Sequence, residues 1–187
     1  MTVDDLVQNL AVEVPGCPTP TIRDMLRWAQ RELCDKGNVW LSSDGPVVVA
    51  ANTPFAEVEL PLNAEAIRIT KLTDDGRTLT PGEDYVQNGS NGIQFLKLKP
   101  KSAAMMGEVA CMPSYGKDMP GSIMSRWAEA IMDGARSRLL MLPQAWQNPA
   151  LSEHYRRSFM DAQAHARSLS IDGYQRGSIR MKVRGII

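Results

Sequence analysis

Ser122–Leu169 constrains this chain more than any other stretch, because it reads as two long helices folded back on one another. Ile123, Trp127, Ile131, Ala135, Arg138 or Leu139, and Leu142 recur at steps of three and four, so they share one face. Pro143 stops that helix, since its ring clashes with the preceding turn and it has no N–H to donate. Asn148-Pro149 starts another: Asn148 can cap free amide groups, and Pro149 suits the first helical position. From there Leu151, Tyr155, Phe159, Ala162, Ala166 and Leu169 fall at helical steps and form a seam for a partner helix. At 1.5 Å per residue each helix is about 30 Å long, and the short connection makes the two antiparallel neighbours.

Two shorter helices precede this hairpin. Thr2-Val3-Asp4-Asp5 has the form of a capping box, and Val3, Leu6, Val7 and Leu10 follow on one face. Such a short amphipathic helix is unstable alone and must dock. Val14-Pro15-Gly16-Cys17-Pro18 breaks it. Pro20 and a Thr21-x-x-Asp24 box then predict a second helix, with Ile22, Met25, Leu26, Ala29 and Leu33 inward and Trp28 at the edge of that face. Lys36-Gly37-Asn38 ends it, with Gly37 suited to a left-handed cap.

Between Val39 and Tyr115 the period changes from 3.6 to 2. Val47–Val49, Glu57–Leu60, Ala66–Leu72, Ile93–Leu98 and Glu108–Met112 are short β-rich runs between turn residues. Asp74-Asp75-Gly76 and Asn88-Gly89 carry hairpin chemistry, because glycine accepts a positive φ without strain. The expected fold class is therefore α+β. It comprises a bundle of four helices, two of them long and antiparallel, with a small antiparallel β domain inserted and an extended C-terminal arm. Residues 1–38 and 119–169 would form the bundle, 39–118 the β domain and 170–187 the arm.

The arm is read from its composition. It has no helical period, and no acid follows Asp172. Arg176, Arg180, Lys182 and Arg184 alternate in part with Ile179, Met181 and Val183, and the chain ends on Ile186-Ile187. A purely solvated tail has no use for those apolar residues, so the segment reads as an arm that adds a strand to a partner. The overall charge is zero but uneven: residues 1–119 carry a net −5 and residues 120–187 a net +5. Opposite charge at two ends of a protomer would draw copies together in a ring or stack.

Reaction chemistry is sparse. His154 and His165 are the only histidines, and eleven helical residues hold them roughly 16 Å apart, too far to share a metal. Cys17, Cys34 and Cys111 are odd in number and widely spaced, which predicts free thiols in a reducing cytoplasm. Asp4 and Asp5 stand where a signal peptide would be basic, and the aliphatic run Val47–Ala51 is too short to cross a bilayer. No phosphate-cradling glycine loop is present. The chain is therefore expected to be no enzyme, to need no cofactor or metal, and to associate with no membrane. A DNA-binding packaging or regulatory module is the alternative. It would use Arg136, Arg138, Arg156, Arg157, Arg167 and the basic arm, although no recognised binding motif is present.

Several strings taken in order resemble the head-to-tail adaptor (connector, or head-completion) proteins of tailed bacteriophages. They are Val14-Pro15-Gly16-Cys17-Pro18, then Trp40, then Gly134-Ala135-Arg136-Ser137-Arg138-Leu139-Leu140-Met141-Leu142-Pro143, followed by Trp146, Asn148-Pro149, Tyr155 and Phe159. The likeness is strongest over residues 14–40 and 127–167, and the β region is longer than in simpler connectors. The resemblance implies a structural protein of the virion neck, assembled in the host cytoplasm as a dodecameric ring of neighbouring copies beneath the portal. It also implies a C-terminal arm on the portal protein, a free face for a nozzle or tail-terminator protein, and packaged DNA passing through the channel. On that reading the arm residues Tyr174, Arg176, Ile179, Arg180, Met181, Lys182, Val183, Arg184, Ile186 and Ile187 contact the portal. Trp127, Ile131, Leu139, Leu142, Trp146, Tyr155 and Phe159 form the core of the helical hairpin that carries the arm.

Overall fold

A computed structural model describes residues 1–43, 46–89 and 91–171. The first helix, α1 (Val3–Glu13), begins at the expected capping box: the Asp5 N–H donates to Thr2 Oγ1 at 3.3 Å and the Thr2 N–H donates to the Asp5 carboxylate at 2.7 Å. The second, α2 (Thr19–Gly37), has Pro18 at its N-cap and no side-chain cap, so the Thr21-x-x-Asp24 box is not used. Its left-handed terminal residue is Asn38, at φ 51°, rather than Gly37. Gly37 has a different task. A Cβ there would stand 2.8 Å from the Ala166 Cβ, so a hydrogen at this position lets another helix approach.

The strands form two antiparallel sheets. In the first, β8 (Ala103–Pro113) is central. On one side β1 (Leu41–Ser42) and β2 (Pro46–Val49) pair with successive parts of it. On the other lies β4 (Ala64–Asp74), with β5 (Arg77–Thr78) beyond it. The second sheet has the order β3 (Phe55–Glu57), β7 (Gly92–Phe95), β6 (Tyr85–Asn88). The Asp74-Asp75-Gly76 turn joins β4 to β5 with Asp75 and Gly76 both at positive φ, as hairpin turns require. Most of β4 has no strand on its outer edge. There the Gln87 side chain accepts from the Ile69 N–H at 3.1 Å and donates to the Ile67 carbonyl at 3.4 Å, supplying bonds a neighbouring strand would make.

Three helices follow the sheets: α3 (Gly121–Arg126), α4 (Ala128–Leu139) and α5 (Pro149–Ile171). The expected bundle of four helices with a small inserted β domain is therefore corrected to five helices and eight strands in two sheets among the described residues. Two physical causes account for the difference. The first arm of the hairpin is not one helix, because Trp127 leaves the helical region (φ −112°, ψ 20°) and divides α3 from α4, which itself ends at Leu139. The sheets are not a small appendage either. Their long strands β4 and β8 share one continuous hydrophobic core with the helices, running from Val3 and Leu26 through Cys111 and Val109 to Ile131 and Ala166. Side chains of α2 tie the layers together. Arg31 reaches the Pro113 carbonyl and the Glu65 carboxylate, and Arg68 on β4 donates to the Asp35 carbonyl and carboxylate. Where α2 and β8 meet, burial pushes the Cys34 thiol well above its ordinary pKa. Cys17, Cys34 and Cys111 form no disulfide with one another.

Candidate functional site

The residues assigned to the arm, Tyr174, Arg176, Ile179, Arg180, Met181, Lys182, Val183, Arg184, Ile186 and Ile187, lie outside the described residues. What is described is the platform from which that segment departs. Ser170 and Ile171, the last residues of α5, line a cleft with Asn38, Thr70, Lys71 and Glu108, where the helices meet the first sheet.

The hairpin residues come together. Ile131 and Leu139 are fully buried, Phe159 and Trp127 are nearly so, and Leu142, Trp146 and Tyr155 pack against them half-buried. Trp146 donates its indole N–H to the Leu139 carbonyl at 3.2 Å, which fastens the α4–α5 turn to the end of α4. Phe159 meets Trp28 of α2 at 5.9 Å between ring centroids. The seam itself is shifted at its start: Leu151 is exposed, and Ser152 is buried in its place, donating to the Ser137 carbonyl at 2.5 Å. That bond satisfies a polar side chain that periodicity places on the wrong side.

Arg136 is the electrostatic centre of the helical part. Its guanidinium makes two hydrogen bonds to Glu13 of α1 at 2.7 and 2.8 Å and one to Asp133 at 2.8 Å, and it lies over the Tyr155 ring at 5.0 Å. The Glu13 carboxylate, and after it Asp133, hold Arg136 above its already high pKa against the opposing effect of burial. One side chain thereby joins α1, α4 and α5. On α5, Glu153 accepts from both Arg156 and Arg157 at 2.7–2.9 Å, and those bonds push its pKa down to about 2.

Arg138 differs: its guanidinium stacks on Trp28 at 3.6 Å from the ring centroid. It borders an open cleft of about 790 Å³ between α2, α4 and α5, whose apolar wall includes Met25, Trp28, Met141 and Leu142. Sequence periodicity left this cleft unseen, since it depends on which helices cross. Among the described residues, no group of three or more His, Cys, Asp or Glu is placed to hold a metal ion, and no helix is long and apolar enough to cross a membrane. His154 lies against Tyr155 and His165 against Trp127, each in an edge-on ring contact.

Two strings far apart in sequence also meet. Trp146, in the turn before α5, stands 4.0 Å from where a Cβ on Gly16 would sit, and it shares a small cleft with Cys17, Pro18 and Leu142. Gly16 has φ +87°, a conformation that suits glycine and turns the chain sharply between α1 and α2. Comparison with protein-family models and with curated protein sequences gives no match.

Proposed function

We propose that this chain is a structural head-to-tail adaptor of a tailed phage. It forms a ring with neighbouring copies, docks on the portal protein through its C-terminal arm, and offers another face to a nozzle or tail-terminator protein. Its place is the head–tail neck of the virion, with packaged DNA passing through the channel, and its work is adhesion rather than turnover. The observation that carries this reading is the contact between the Gly16 turn and Trp146. The Val14–Pro18 and Leu139–Trp146 strings, on which the resemblance rests, are about 125 residues apart yet build one corner of the molecule. Supporting it, the helical hairpin ends at the junction with the sheet, where a following basic and apolar segment can reach outward. Arg176, Arg180, Lys182 and Arg184 would pair with an acidic groove, while Ile179, Met181 and Val183 set the residence time. Weak contacts repeated around a ring combine into strong attachment through effective concentration.

The alternative, a DNA-binding packaging or regulatory module, is weakened by the ion pairs. Arg136 is held by Glu13 and Asp133 and largely covered, and Arg156 and Arg157 share the single carboxylate of Glu153, which lowers the positive charge of that face. Deleting residues 174–187 is expected to leave the helical and sheet core folded, by circular dichroism, and to abolish capture by the cognate portal protein. Undiminished capture would refute the docking role, and strong duplex retention by the full chain in a low-salt gel shift, lost on the same deletion, would favour the alternative.

A further inference from the structure

The two loops flanking the second sheet are opposites in charge and alike in exposed leucines. After β7 the chain runs Leu96-Lys97-Leu98-Lys99-Pro100-Lys101. Leu96 is 50% and Leu98 58% exposed, and Lys97 and Lys101 are exposed with no carboxylate partner among the described residues. Phe55, itself 53% exposed, adds to this end: it sits across from Gln94 in the β3–β7 register, on the face that Leu96 continues. The loop is held in shape from below, because Lys99 pairs with Asp74 and its carbonyl accepts from the Asn52 N–H at 2.7 Å.

After β3 the chain runs Glu57-Val58-Glu59-Leu60-Pro61-Leu62. Leu62 is 89% exposed, and Glu57 and Glu59 are exposed with no cationic partner among the described residues. Here too the neighbourhood is fixed. The Ser114 N–H donates to the Asn63 carbonyl at 2.9 Å and the Tyr115 N–H to the Glu65 carboxylate at 3.3 Å, which holds the chain at Tyr115, 92% exposed, against the start of β4 next to the loop.

β4 separates these two surfaces. It begins at Ala64, directly after the acidic loop, and ends at Asp74, the residue that grips Lys99 of the basic loop. Eleven strand residues put Ala64, beside Leu62, about 30 Å from Asp74 and Lys99, while Glu57, across from Gly92 in the β3–β7 register, lies about 13 Å from Leu96. Within one copy these charged side chains make no ion pair among the described residues, and between copies the two loops are complementary, so each can meet its opposite on a neighbour. Used once per copy, that contact runs head to tail and propagates to a ring when the rotation closes, the arrangement the adaptor reading requires; used reciprocally, it stops at a two-fold dimer.

We infer that the Leu96–Lys101 loop of one copy docks on the Glu57–Leu62 loop of the next. Leu96 and Leu98 cover Leu62 and Tyr115, and Lys97 and Lys101 face Glu57 and Glu59. The apolar residues set how long the contact lasts, and the charges set its polarity and its sensitivity to salt. This deepens the ring reading above by naming the surfaces that meet, and its test needs no portal.

The test is disulfide trapping in a Cys17→Ser background, where the remaining thiols, Cys34 and Cys111, are buried. An equimolar mixture of Leu62→Cys and Leu98→Cys chains is expected to yield a cross-linked dimer at least about fivefold above either chain alone. Adding Lys97→Glu and Lys101→Glu to the Leu98→Cys chain should lower the yield about fivefold, and Glu57→Lys with Glu59→Lys on the other chain should restore it. All variants are surface changes, with folding checked by circular dichroism. Equal trapping in the mixture and in the single variants, trapping no higher than with exposed Leu151→Cys, or no rescue by the double reversal would overturn the inference. Loss of trapping with arm-dependent portal capture intact would leave the adaptor reading standing. The converse result would leave a self-associating protein without that role.

Discussion

Replacing Gly134 with alanine sets two known effects against each other at the point where three helices cross. In an exposed helix the change stabilises by roughly 1 kcal/mol, because alanine loses less backbone freedom on folding. At this site the new Cβ would stand 2.9 Å from the Ala29 Cβ on α2 and 3.0 Å from two ring carbons of Phe159 on α5. Ordinary carbon contacts lie near 3.5–4.0 Å, so something must retreat on both sides at once. The tip of the Phe159 ring can yield, but the Ala29 methyl is fixed to a helix backbone. Overpacking of this kind costs about 1–3 kcal/mol. The sum is a net loss of up to about 2 kcal/mol, or up to roughly 8 °C in Tm for a chain of this size. Chemical and thermal unfolding of Gly134→Ala measure it directly. Adding Ala29→Gly should recover part of the loss, with a coupling of about 1 kcal/mol. A Gly134→Ala protein more stable than the original by the roughly 1 kcal/mol of an exposed helix site would refute the close three-helix crossing.

Two further outcomes follow from the charged network. Arg136→Met should cost about 2–3 kcal/mol, because it leaves the mostly buried Asp133 carboxylate with the Ser158 hydroxyl alone and frees α1 from α4; urea unfolding checks it. Glu153 should titrate near pH 2 by carboxyl-carbon NMR and return toward the ordinary glutamate value of 4.5 in Arg156→Ala/Arg157→Ala. Its folded-state pKa is depressed, so any stability it adds is fully present above pH 4.5 and is lost as pH falls toward 2. The group is exposed, and the effect on stability is accordingly small.

Local signals in the sequence were legible wherever one element decides its own fate. The α1 capping box, the break at Val14–Pro18, the restart at Asn148-Pro149 and the Asp74–Gly76 hairpin turn all sit where their residue types require, whereas α4 ends at Leu139, four residues before the expected stop at Pro143. The expectation fails where tertiary partners decide. Gly37 looks like a helix cap, yet it is there to admit Ala166, while Asn38 takes the left-handed conformation. Ser152 displaces Leu151 from the seam because a carbonyl on α4 receives its hydroxyl. β1 and β5 have two residues each and no period to detect, and β6 is marked only by Tyr85 turning inward. The helical break at Trp127 leaves no sign in the hydrophobic spacing, since Ile123, Trp127 and Ile131 keep their steps across it. Of the candidate site, the hairpin core could be read from periodicity. The Arg138–Trp28 cleft could not, because it forms from three helices brought together by the fold.

Attachment through the C-terminal segment is the central claim, and electron microscopy of the protein bound to its portal tests it most directly. The account predicts a ring of this chain with residues 174–187 of each copy lying on the portal surface, Ile179, Met181 and Val183 seated against apolar groups and the arginines against acids. Those residues folded back onto their own subunit in the assembled particle, touching no neighbour, would contradict it.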